Sequence, residues 1–96
     1  MVTFRELKPI YSAQKSFYKK AYVKWYYGDK AILYSYGTPV CAITYKDNKI
    51  HRLWGGYSRT TMNHVNEFIA QYFFLYFHEK LSKKDWYEMI VDRSCY

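Results

Sequence analysis

The 96 residues include only two cysteines, two prolines and four glycines, and eight acids stand against fifteen Lys and Arg. Cys41, in an apolar run, and Cys95, beside the C-terminus, have neither the number nor the spacing of a disulfide framework, so both are expected as free thiols. No apolar run approaches the roughly 20 residues that a membrane helix needs; the longest is Tyr72 to Phe77, and no basic-then-apolar leader opens the chain. A soluble, cytoplasmic protein without membrane contact is the expectation. Gly55-Gly56 lacks the lysine and spacing of a phosphate-cradling loop. The shortage of acids, and the positive charge it leaves, argue against mimicry of DNA, which requires an acidic surface. There is no internal repeat, low-complexity tract or linker.

Aromatic residues are abundant: thirteen Tyr, six Phe and three Trp. Tyrosine has an apolar ring and a polar tip, so such a chain carries more amphipathic surface than a minimal core requires. Positive charge is concentrated early. Residues 1–30 carry seven cations against two acids, residues 31–60 four against one, and residues 61–96 four against five, which sums to +7. A polyanion or an acidic protein face is the natural partner of the basic part. A solvated basic surface with no partner is the alternative.

The length suits one α+β domain. Its organising element is Tyr57 to Phe77, where Met62, Val65, Ile69, Tyr72 and Tyr76 recur at helical spacing. Ser58 is the expected N-cap, with Tyr57 and Met62 as a hydrophobic staple, and the helix is expected over 58–78. Before it, residues 21–54 carry the pattern of a four-stranded antiparallel meander. Ala21 to Tyr27 and Lys30 to Tyr36 flank Gly28-Asp29, expected as a two-residue II′ turn; Val40 to Tyr45 and Ile50 to Trp54 follow.

Alternation groups Val23, Trp25, Ala31, Leu33, Cys41, Ile43 and Leu53 on the face that covers the helix, and Tyr22, Lys24, Tyr34, Lys49 and Arg52 on the other. Thr3 and Glu6 have capping-box spacing, so a short helix is expected within the 1–20 lead-in, stopped by Pro9. Ser82 and Asp85, with Leu81 and Trp86 as a staple, predict a last helix over 82–91. Gly55-Gly56 is the corner between sheet and helix.

No catalytic constellation, metal site or cofactor site emerges, and no enzymatic activity is expected. His64 and Glu67 stand three apart on one helix, but further ligands are not placed at recognisable spacing, and a surface pair or polar helix edge is the simpler reading. His51 and His78 have no obvious acid partner. Cys41 in a β run reads as core. Binding is better supported. Lys15 to Trp25 interleaves cations with rings, as proteins that follow phosphates and stack bases do. Candidate contact residues are Lys15, Tyr18, Lys19, Lys20, Tyr22, Lys24, Arg52 and Arg59. The alternative makes Phe17, Tyr18 and Trp25 core residues kept soluble by the lysines. The apolar excess at Phe74 and Phe77, with Trp86, offers a second, protein-binding or homodimeric surface.

KSFYKKA (Lys15 to Ala21), SYGTPVCAI (Ser35 to Ile43) and LWGGYSRTTMNHVNEF (Leu53 to Phe68) resemble small proteins encoded by phages and plasmids of Gram-positive bacteria. The most distinctive part is Ser58, Thr60, Thr61, His64, Asn66, Glu67 and Phe68. In that group glycine usually stands at the place of Lys19 and arginine near Gln14, and the chain often stops soon after the helix, so the aromatic extension from Tyr72 departs from the pattern. The resemblance implies a mobile-element protein of the bacterial cytoplasm, and small proteins of such elements are often counter-defence factors, anti-CRISPR inhibitors among them. The leading expectation is an inhibitor that binds a host defence protein or ribonucleoprotein complex; a nucleic-acid-binding accessory protein is the alternative.

Overall fold

Five β-strands follow one another as an antiparallel meander, with neighbours in sequence also neighbours in the sheet: β1 Val2–Glu6, β2 Ala21–Tyr26, β3 Lys30–Ser35, β4 Thr38–Thr44 and β5 Lys49–Arg52. Two helices come after it, α1 Arg59–Tyr72 and α2 Lys83–Glu88. The structure is a computed structural model and describes residues 2–10, 15–26, 28–73 and 81–94. Tyr76, Phe74, Phe77, His78 and Cys95 lie outside the described residues.

The sheet has five strands where the pattern suggested four. Val2–Glu6 is a strand, not the short helix that Thr3 and Glu6 suggested, and pairs with β2 from Val2↔Tyr26 to Glu6↔Tyr22. A capping box stabilises only a helix that can propagate, and Pro9 leaves room for barely a turn. The open edge of β2 instead satisfies alternate backbone groups of β1 at once, and the pairing continues to Leu7, whose amide donates to the Ala21 carbonyl at 2.8 Å.

Turn chemistry fixes the other registers. The Asp29 amide donates to the Tyr26 carbonyl at 3.0 Å, and Gly28, at φ +71°, is the second of the two central residues of that turn, not the first as a II′ turn requires. Ser35↔Thr38 pairing leaves Tyr36-Gly37 as a two-residue loop, with φ +54° and +79°, the positive pair of a type I′ turn. Between Leu33↔Cys41 and Tyr34↔Pro39 the register shifts, so Val40 is the extra residue of a bulge. The bulge lets Val40 and Cys41, consecutive in sequence, both enter the core under the helix.

α1 starts where expected: Ser58 Oγ accepts from the Thr61 amide at 3.0 Å. It ends at Tyr72, with Phe73 as C-cap, earlier than the expected 78. Met62, Val65, Phe68 and Ile69 bury against Ala21, Val23, Ala31, Leu33, Cys41 and Ile43. At about 1.5–3 kcal/mol per large side chain, this apolar seam is the main favourable term holding helix to sheet. Ser82 and Asp85 form the anticipated capping box of α2, shorter than 82–91, and Trp86 closes the end of the core with its indole N–H on the Gly56 carbonyl at 2.8 Å. Among the described residues no helix is long and apolar enough to cross a membrane.

Two assignments of face are reversed at β5. Cys41↔Arg52 and Ile43↔Ile50 pairing puts Arg52 and Ile50 on the helix face. Lys49, three residues before Arg52, therefore lies on the opposite face. Leu53 does not share the side of Val23 and Leu33; it packs with Ile32 and Ala42 on the outer face, beneath Tyr26 and Tyr34.

Candidate nucleic-acid interface

The helices occupy one face of the sheet and leave the other as an outer surface. Along β2 and the residue before it, Lys20, Tyr22, Lys24 and Tyr26 alternate with the inward-facing Ala21, Val23 and Trp25, so that cation and ring follow each other about every 7 Å. Their cross-strand neighbours continue the pattern. Tyr22 lies opposite Tyr34 and Glu6, Lys24 opposite Ile32 and Phe4, and Tyr26 opposite Lys30 and Val2. Lys30 in turn lies opposite Thr44, and Thr44 opposite Lys49. Glu6 is the one carboxylate among the described outer-face strand residues.

Ring contacts order this surface. Phe4 stacks on Tyr22 with centroids 5.2 Å apart and planes 2° from parallel, and meets Tyr34 edge-on at 5.9 Å. Lys24 and Lys30 hold their ammonium groups 5.5 and 5.0 Å from the Tyr26 centroid. Tyr26 and Tyr34 are largely used in covering Ile32, Ala42 and Leu53. The rings that remain open are Phe4, 58 % exposed, and, at the end of the sheet, Tyr18 at 73 % and Tyr36 at 57 %.

That end is formed by two turns side by side. The Lys20 amide donates to the Phe17 carbonyl at 2.9 Å, closing a turn over Tyr18-Lys19, and the Tyr36 amide donates to the Lys20 carbonyl at 2.8 Å, joining it to the β3–β4 turn. Lys20 Nζ sits 5.8 Å from the Tyr36 centroid. Lys15 and Lys19 are exposed beside it. Ser35 Oγ lies 3.2 Å from Thr61 Oγ1, which brings the start of α1, with exposed Arg59, to this same end.

The candidate residues thus divide. Lys15, Tyr18, Lys19, Lys20, Tyr22 and Lys24 occupy the basic end and outer face, and Arg59 stands at the helix start of that end. Phe17 is core, as the alternative reading had it, Trp25 is partly buried and packs against the core, and Tyr18 is exposed.

Arg52 leaves the set. It is buried on the helix face, donating through Nε to Trp54 O at 2.9 Å, through Nη1 to Trp86 O and Met89 O at 3.0 and 3.1 Å, and through Nη2 to Gly55 O at 2.9 Å. Five fixed donors on a planar fork suit a hub for carbonyls at converging loop ends, so the residue is a tie of the fold and not a contact for a partner. Trp86 is fully buried and leaves the protein-interface set for the same kind of reason. Phe4, Lys30 and Tyr36 were missed, and Tyr34 was assigned to this face but not to the contact set; the period of two from Lys20 to Tyr26 was the available signal for the face, and Tyr36 before Gly37 the signal for the turn.

Of the distinctive helix-start residues, Thr61, His64, Glu67 and Phe68 are buried. His64 is fully buried with Nδ1 2.8 Å from Ser35 Oγ and its ring 4.6 Å from Phe17; burial lowers its pKa to about 4, so the ring is neutral. Glu67 is also buried, accepting from the Ile10 amide at 3.1 Å and from Gln71 Nε2 at 2.6 Å. His64 and Glu67 are therefore not the surface pair expected. Asn66 clasps the Leu81 backbone both ways, at 2.8 and 3.2 Å.

On β5, His51 has an acid partner the sequence did not reveal: Nδ1 lies 3.5 Å from Asp92 and Nε2 2.9 Å from Thr44 Oγ1. The order of acid, imidazole and hydroxyl is that of a nucleophile relay, but Thr44 donates its proton to Asp47, which leaves the imidazole N–H to donate to Thr44. The hydroxyl bond lowers the Asp47 pKa, and the Ser94 amide does the same for Asp92. The cluster fastens the tail to β5, where the Asp92 amide donates to Arg52 O at 2.8 Å. Among the described residues no group of His, Cys, Asp and Glu is arranged to hold a metal ion.

A family model matches residues 5–88, from within β1 to the last residue of α2. The chain belongs to the family of unknown function DUF8033. The match takes in β2 to β5 whole, both helices and the two turns at the basic end. No curated protein and no solved structure matches the chain.

Proposed function

We propose that this protein is a non-enzymatic nucleic-acid-binding protein that engages the phosphate backbone with the lysines of its outer sheet face and basic end. The observation that carries the reading is the Lys20-Tyr22-Lys24-Tyr26 stripe, on a face whose strands hold a single carboxylate, Glu6. A chain of formal charge +7 is drawn to a polyanion over long range, and the lysines gathered along β2 and at the basic end give the approach a direction. In a counter-defence protein of a mobile element, the role that the resemblance implies, such a face would act by occupying the guide-RNA or DNA channel of a host nuclease complex.

Binding to a short oligonucleotide across a salt series is the test. The logarithm of the affinity should fall linearly with the logarithm of salt concentration, because each neutralised phosphate releases a counterion. Lys20→Glu with Lys24→Glu should abolish binding, whereas Lys83→Glu with Lys84→Glu, the same change of charge on α2, should leave most of it. A flat salt response, or equal losses in the two variants, contradicts the reading.

A further inference from the structure

Among the described residues four that are not glycine have positive φ: Tyr18 at +51°, Lys19 at +61°, Tyr36 at +54° and Asn48 at +52°. Asn48 is ordinary, since asparagine visits this region readily. The other three are not, and all three are at the basic end of the sheet. A β-carbon in the left-handed region is crowded by its own backbone, and a bulky side chain there is an outlier that the surroundings must hold in place. Glycine would relieve the crowding at each position. Both turns instead place a tyrosine first of their two central residues, and one adds a lysine second.

What these residues gain is projection. Tyr18 and Tyr36 are 73 % and 57 % exposed, so packing of the core does not account for them. Tyr36 is nonetheless held firmly: its amide is bonded to Lys20 O at 2.8 Å, and its ring lies 6.0 Å from that of buried His64. Lys20 Nζ lies over the same ring, 5.8 Å from its centroid, so a cation accompanies an aromatic side chain that is still more than half exposed. An aromatic face with an ammonium group next to it complements an unpaired nucleobase and its phosphate, because every base has a π-face and the backbone is anionic. A duplex presents its phosphates but keeps its bases stacked on one another.

We infer that the paired turns bearing Tyr18, Lys19 and Tyr36 form a stacking site for unpaired bases, and hence that the ligand is single-stranded. The inference rests on the nucleic-acid reading above and narrows it to a class. Lysines along the sheet follow the backbone, while the two turn tyrosines take the base planes.

Ring and base are tested together. Wild type, Tyr18→Gly, Tyr36→Gly, the double variant and Tyr18→Phe are each titrated at low salt with an oligothymidylate, with an abasic strand of equal length and with a duplex. Wild type should prefer the base-bearing strand over the abasic strand and over the duplex by about tenfold or more. Each glycine should cut that preference about tenfold, the double variant should bind both strands alike, and Tyr18→Phe should match wild type.

Thermal unfolding supplies the second readout. The glycine variants should unfold at the same temperature as wild type or higher, because glycine suits these backbone angles. Wild type that binds duplex or abasic strand as tightly as oligothymidylate, or glycine variants that keep the full preference, would overturn the inference while leaving phosphate binding intact. Wild type that binds no strand at all would overturn both.

Discussion

His64 Nδ1 lies 2.8 Å from Ser35 Oγ, tying the middle of the main helix to the end of the third strand with a neutral imidazole. Ser35 also reaches Thr61, so one small hydroxyl on the sheet gathers two helix residues. Directly after Ser35 comes Tyr36, which makes this buried contact the foundation of the turn that carries an open ring.

Acid should weaken the fold through His64. Its native pKa, lowered by burial to about 4 from the ordinary 6.5, lies below that of the unfolded chain, so the unfolded state binds more protons between those values. Stability should therefore fall as pH drops through 6.5 and level off near 4, by about 3 kcal/mol in all. Urea unfolding at a series of pH values measures this, and His64→Phe should remove most of the slope across that window.

Arg52 should be intolerant of change. Arg52→Ala leaves four well-placed carbonyls to find other donors and should cost about 3 kcal/mol, with Arg52→Lys recovering only part, since an ammonium cannot span the fork. Chemical denaturation gives the size. At a temperature where Arg52→Lys remains folded, its oligonucleotide affinity should equal that of wild type, in contrast to the loss expected for Lys20 and Lys24.

The sequence revealed the helix start, the hairpins and both caps because each is a local matter of capping groups, turn residues and period. Val2–Glu6 escaped because VTFRE carries a helix-cap spacing while its strand partner begins some fifteen residues further on. Arg52 was misplaced because its face depends on the register Thr44↔Lys49, which the loop between those residues sets and composition does not. Lys20, Tyr22 and Lys24 could be found because a period of two survives in the sequence. The turn at Tyr18-Lys19 could not, since neither residue type announces a positive φ.

Gly56 is required for space. A β-carbon there would lie 2.5 Å from Trp54 Cζ2 and 2.7 Å from Cε2, and the residue's carbonyl already receives the Trp86 indole N–H. Gly56→Ala should displace the Trp54 ring and cost about 2 kcal/mol. Near-ultraviolet circular dichroism should show the altered tryptophan environment, while Gly55→Ala, whose β-carbon meets only Val91 at 3.7 Å, should leave it unchanged.

Asn66 should govern how α2 docks. Asn66→Ala removes both bonds to Leu81 and should cost about 1–2 kcal/mol. Hydrogen exchange should locate the effect, with amides of α2 losing protection and those of β2 and β3 keeping theirs. Equal loss across the sheet would mean that the clasp supports the whole core and not the α2 junction alone.

Amide chemical shifts followed by NMR during titration with oligothymidylate test the central claim most directly. The largest changes should fall on Lys19, Lys20, Tyr22, Lys24 and Tyr36, with the described amides of α2 and the tail unmoved. Changes confined to β5, α2 and the tail, or no changes at low salt, would contradict the assignment of the outer face and its paired turns as the binding surface.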